Sequence, residues 1–60
     1  MRIAIVDDCE NERNELCKRL SQSSFSRSYD IEICGYGNGT DFLNDAMQNR
    51  FDLVFMLSLI

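Results

Sequence analysis

Histidine is absent from the sixty residues, and the three cysteines, Cys9, Cys17 and Cys34, form no Cys-x-x-Cys pair. A structural zinc site needs four nitrogen or sulfur ligands, so the chain cannot assemble one by itself. An odd number of thiols also excludes a complete disulfide framework. It fits reduced cysteines that serve as small apolar residues. Positive charge is scarce as well: six basic against ten acidic side chains give a net charge of −4. That balance excludes a segment that grips nucleic-acid phosphates by itself. Long apolar runs are missing. Asp7 and Asp8 interrupt the apolar N-terminus before a signal-peptide core can form, and the apolar stretch 51–60 has about half the length of a membrane helix. The expectation is a soluble, cytoplasmic protein with no membrane contact.

Size sets the next limit. A chain of sixty residues buries about 60% of its unfolded surface, and a core this small seldom supplies more than roughly 3–5 kcal/mol. One small domain, or a piece of a larger one, is expected.

What is present alternates between two periodicities. Ile3, Ala4, Ile5 and Val6 form a continuous apolar run, as expected of a strand covered on both faces. Between Cys9 and Gln22 the period becomes helical. Leu16, Cys17 and Leu20 share a face with Cys9 and the stem of Arg13, and Glu10, Glu12, Glu15, Lys18 and Arg19 take the other. Acidic residues in the first turn and basic ones near the end suit the helix dipole, with Asp8 as the expected cap. The serine-rich stretch 21–30 reads as a solvated loop. Alternation over Ile31-Glu32-Ile33-Cys34-Gly35-Tyr36 predicts a strand at a sheet edge. Gly37-Asn38-Gly39 breaks the chain, and a second helix is expected over 40–49 with Phe42, Leu43, Ala46 and Met47 as its apolar stripe. The segment 51–60 reads as a buried parallel strand. The order strand, helix, strand, helix, strand implies an α/β unit.

The chemistry-bearing feature is the acidic pair Asp7-Asp8 directly after the first strand. Ligands of open α/β sheets gather beyond the carboxyl ends of the strands, and two carboxylates there suit a hard cation such as Mg²⁺. Capping of the following helix by a solvated charge is the plainer use of the same residues. Cys9, at a helix start, raises a redox alternative. The helix dipole favours its thiolate and the two aspartates oppose it, so an inert, at least partly buried cysteine is expected.

Taken in order, Arg2-Ile3-Ala4-Ile5-Val6-Asp7-Asp8, the helix over Glu12–Leu20, Asp30-Ile31-Glu32-Ile33, Gly37-Asn38-Gly39-Thr40-Asp41-Phe42-Leu43 and Phe51-Asp52-Leu53-Val54-Phe55 resemble the first half of a response-regulator receiver domain. The wording is most similar to regulators that carry a LytTR-type DNA-binding domain. The resemblance covers residues 1 to about 56 and implies a partial flavodoxin-like unit, β-α-β-α-β, whose parallel strands stand in the order 2-1-3. It makes residues 1–60 a single partial receiver domain. In a two-component system the parent protein would take part in phosphorelay signal transduction with a histidine kinase and regulate transcription.

The same resemblance assigns Asp7 and Asp8 to a Mg²⁺ site and puts the phosphoacceptor aspartate after the third strand. Here Leu57 occupies that position. A leucine side chain has no lone pair for attack on a phosphoryl donor and no charge to complete a metal site. The chain therefore reads as truncated or altered after Met56, with only weak Mg²⁺ binding, no phosphotransfer and no enzymatic activity. Ser58 is a nearby hydroxyl with no base evident beside it. The alternative is a degenerate half-receiver that binds a receiver-like partner or a second copy of itself. Its third strand would then be an exposed apolar edge, so a homodimer through residues 51–60 is expected, with Phe51, Leu53, Phe55, Leu57 and Leu59 at the interface.

Overall fold

The computed structural model describes residues 1–57, without the side chains of residues 25 and 26. Three strands, β1 (Arg2–Val6), β2 (Glu32–Tyr36) and β3 (Leu53–Met56), alternate with helices α1 (Glu10–Gln22), α2 (Ser24–Ser28) and α3 (Gly39–Ala46). The strands form one parallel sheet in the order β2-β1-β3, as the sequence led us to expect. Ile3 stands level with Ile33 and Leu53, and Ile5 with Gly35 and Phe55.

The uniform apolarity of β1 has a direct cause. As the central strand it is covered on both faces, and Ile3, Ala4 and Ile5 have no solvent exposure. Ala4 and Val6 point to one face, where they pack with Phe42 of α3 and with Tyr36, Ala46 and Phe51. The rings of Tyr36, Phe42 and Phe51 meet edge-on or tilted, with centroids 5.4–6.1 Å apart. Ile3 and Ile5 point to the other face, which α1 covers. There the stem of Arg13 lies over Gly35, the residue level with Ile5.

At the amino ends of the strands the pins are polar. Arg2 pairs with Glu32 at 3.3 Å, and its guanidinium carbon stands 5.9 Å from the centre of the Phe51 ring. Its backbone N–H donates to the Asp52 carboxylate at 2.8 Å.

Several local expectations are corrected. The stretch 21–30 is not all loop: α1 closes with the Ser23 N–H and hydroxyl both donating to the Leu20 carbonyl, and α2 follows. The cap of α1 is Cys9, not Asp8, and Cys9 is exposed rather than buried on the apolar face. Residues Arg13, Leu16, Cys17 and Leu20 do form the half-buried stripe. The second long helix begins at Gly39, capped by Asn38 accepting from the Asp41 N–H at 2.8 Å, and gives way to turns after Ala46. Of its expected stripe only Phe42 is buried and Ala46 packed, while Leu43 and Met47 are exposed. Phe42 and Ala46, four apart, form one line of contact, and residues one position further round point outward.

The last strand is parallel but not buried. Both α1 and α3 lie over β1 and β2, and β3 touches β1 alone among the elements. Its side chains are accordingly wet: Leu53, Val54 and Met56 are 42–49% exposed. The remainder of the expected strand, residues 58–60, lies outside the described residues, and so do Ser58 and Leu59.

Candidate functional site

The carboxyl end of β1 is held on both sides. The Asp7 N–H donates to the Tyr36 carbonyl at 3.0 Å, and the Leu57 N–H donates to the Val6 carbonyl at 3.0 Å. Asp7, the last turn of β2 and Leu57 therefore stand side by side at one end of the sheet. That end is where ligands of parallel α/β sheets bind.

The two aspartates behave differently. Asp7 is 2% exposed, and its Oδ1 accepts the Cys9 N–H at 3.0 Å. This bond secures the entry to α1 in place of a side-chain cap from Cys9 itself. Asp7 Oδ2 is buried and has no hydrogen-bond partner among the described residues. Such an oxygen carries a desolvation cost that a cation or a donor would relieve. Asp8, one residue on, is exposed.

Arg13 completes the local structure. Its Nη1 donates to the Asp7 carbonyl at 2.7 Å, and its stem crosses the strand where β2 has a glycine. A Cβ on Gly35 would stand 3.2 Å from Arg13 Cδ, so the glycine makes room for the arginine. The sequence shows Arg13 only as an amphipathic stem on a helix face. Its bridge from α1 to the strand ends is a tertiary contact that no spacing in the sequence signals. The role of Asp7 as acceptor for Cys9 is likewise not legible from the pattern, which points to Asp8.

This contact gives a quantitative expectation. Gly35→Ala should destabilise the chain slightly, because Arg13 must shift. In an Arg13→Ala background the same change should be neutral or stabilising, since alanine suits a strand better than glycine. Urea unfolding of the two single variants and the double variant should show a coupling of about 0.5–1 kcal/mol. Additive effects would mean that the contact does not constrain the site.

On the opposite face, the Tyr36 hydroxyl donates to Asp45 Oδ2 at 2.9 Å. Burial, and then the Asp45 carboxylate, push its pKa above the ordinary phenol range.

A hard cation is the group the acidic pair suggests, and the residues fit it only in part. The orphaned Asp7 Oδ2 is one suitable oxygen, and Asp8 offers a second carboxylate. Leu57, level with Asp7 across the sheet, contributes no side-chain oxygen. No group of three histidine, cysteine or acidic side chains able to hold a metal occurs among the described residues. The Arg13 guanidinium, bonded to the Asp7 carbonyl, adds positive charge beside the place a cation would occupy.

Compared with known proteins, the chain matches no family model, no curated protein and no solved structure. Function must therefore be argued from this geometry. Among the described residues no helix is long and apolar enough to cross a membrane.

Proposed function

We propose that the chain is the N-terminal part of the receiver domain of a cytoplasmic two-component response regulator, and that in this form it binds Mg²⁺ weakly and takes up no phosphoryl group. One observation carries the reading. A buried aspartate with an unpaired oxygen ends the central strand of a 2-1-3 parallel sheet, and the neighbouring strand brings Leu57 level with it. This supports the resemblance to receivers, whose acidic pair follows the first strand and whose phosphoacceptor follows the third, with Leu57 here in the acceptor's place. Its parent would exchange phosphate with a histidine kinase and act on transcription through a DNA-binding domain of LytTR type. This segment, with net charge −4, would not touch nucleic acid directly and would not act as an enzyme.

The test is incubation with a small acyl phosphate and Mg²⁺, read by intact mass. The expected outcome is an unmodified chain. A stoichiometric phosphoryl adduct on any residue would contradict the proposal and restore a phosphotransfer role.

A second reading, an interaction module, has its own support. Among the described residues none of the three helices packs on β3, and Leu53, Val54, Met56 and Leu57 are each more than 40% exposed. Phe55 is half-buried, and Phe51 packs into the aromatic cluster with Tyr36 and Phe42. Apolar edges of this kind associate. We propose that the chain forms a homodimer through this edge, held by hydrophobic contact and little affected by salt. Sedimentation at low micromolar concentration should give twice the single-chain mass. The single-chain mass would count against it.

A further inference from the structure

We infer that β3 pairs antiparallel with β3 of a second copy about a two-fold axis at Phe55, joining the three strands of each copy into one continuous sheet. This rests on the homodimer reading and specifies its geometry. The backbone supplies the first argument. In a parallel ladder the residues of a strand turn their N–H and C=O groups alternately to either side. Leu57 donates to Val6, so Leu57, Phe55 and Leu53 turn their groups toward β1. Val54 and Met56 turn theirs to the outer edge, where no strand stands among the described residues.

A pairing strand satisfies such groups along the whole edge, and among the described residues the sheet has two edges, those of β2 and β3. The outer edge of β2 carries Glu32, ion-paired to Arg2, and adding β3 to it would be a head-to-tail contact that does not close. Pairing β3 with itself closes after two copies. Its edge has no proline and no charge between Leu53 and Leu57, so nothing there blocks pairing.

The register follows from the same groups. Placing Val54 opposite Met56 of the second copy, and Met56 opposite its Val54, brings together the edge-facing groups of both residues as hydrogen-bonded pairs. Phe55 then faces Phe55 as a non-hydrogen-bonded pair on the α1 side, and Leu53 faces Leu57. Centring the axis on Val54 would set Met56 against Asp52, whose N–H already donates to the Arg2 carbonyl at 2.8 Å. A parallel pairing would set the two Asp52 carboxylates level with one another. The antiparallel register sends them to opposite ends.

Cysteine cross-linking reads the register and sedimentation reads association. In a background with Cys9, Cys17 and Cys34 replaced by Ala, oxidised Phe55→Cys should become mainly a covalent dimer. Non-hydrogen-bonded antiparallel partners stand about 4.5 Å apart at Cα, within disulfide reach. Val54→Cys and Leu53→Cys alone should stay uncross-linked, because each lies beyond about 7 Å from its own copy in this register. An equimolar mixture of Leu53→Cys and Leu57→Cys should cross-link, and serves if Phe55→Cys does not fold. Dimeric sedimentation of the unaltered chain with cross-linking through Val54→Cys, or through none of these positions, would overturn the register and leave the dimer standing. A monomer by sedimentation would overturn both.

Discussion

The Ile5→Ala variant is expected to lose cooperative folding altogether. Ile5 sits in the middle of the central strand with no solvent exposure, on the face covered by α1. Truncating a buried isoleucine to alanine costs about 2–5 kcal/mol, with the larger values where the surroundings cannot close on the cavity. Here they cannot close easily. The residue level with Ile5 on β2 is Gly35, which has no side chain to move inward, and the nearby Arg13 is tied to the Asp7 carbonyl. Against a core that supplies roughly 3–5 kcal/mol, that loss consumes most or all of the stability. Circular dichroism through a urea titration should show a sloping, non-cooperative signal for Ile5→Ala and a sigmoid for the unaltered chain. A retained sigmoid with an unchanged midpoint would mean that β1 is not the core.

Much of this architecture is legible in the residues, for identifiable reasons. The strand at 2–6 is apolar at every position from Ile3 to Val6 because both its faces are covered, and the alternation at 31–36 marks an edge because one face of β2 is partly wet. The strand order came from the resemblance to receivers, and the structure has it.

Other features depend on tertiary placement and leave little trace in a pattern. Leu43 and Met47 look like core residues, yet α3 meets the sheet along a single line, and they miss it. The apolar run after Asp52 reads as buried because composition cannot show that, among the described residues, no helix lies over β3. At the candidate site, the adjacent aspartates and the apolar Leu57 after the third strand are visible in the sequence. The burial of Asp7 against the exposure of Asp8, and the Arg13 bridge over Gly35, are not. They depend on how α1 leaves the sheet, which the Asp7 bond to the Cys9 N–H helps to set.

The second large effect concerns the missing oxygen. Leu57→Asp is expected to raise Mg²⁺ affinity tenfold or more, a gain of at least about 1.4 kcal/mol. Leu57 is 49% exposed, so the substitution removes little packing, and its backbone N–H stays bonded to the Val6 carbonyl. The new carboxylate would enter level with Asp7 at the same end of the sheet. Mg²⁺ prefers such oxygens and keeps the rest of its shell as water. The positive charge of Arg13 remains, which limits the gain. Because the same change sets a charge against the apolar edge of β3, the oligomeric state of both proteins is measured by sedimentation at the titration concentration.

Titration of the unaltered chain with Mg²⁺, by calorimetry and by residue-resolved amide shifts, addresses the half-built site most directly. Affinity in the millimolar range or weaker is expected, with shifts confined to Asp7, Asp8 and the first turn of α1, and a tighter curve for Leu57→Asp. Micromolar affinity in the unaltered chain, with no gain from Leu57→Asp, would contradict it.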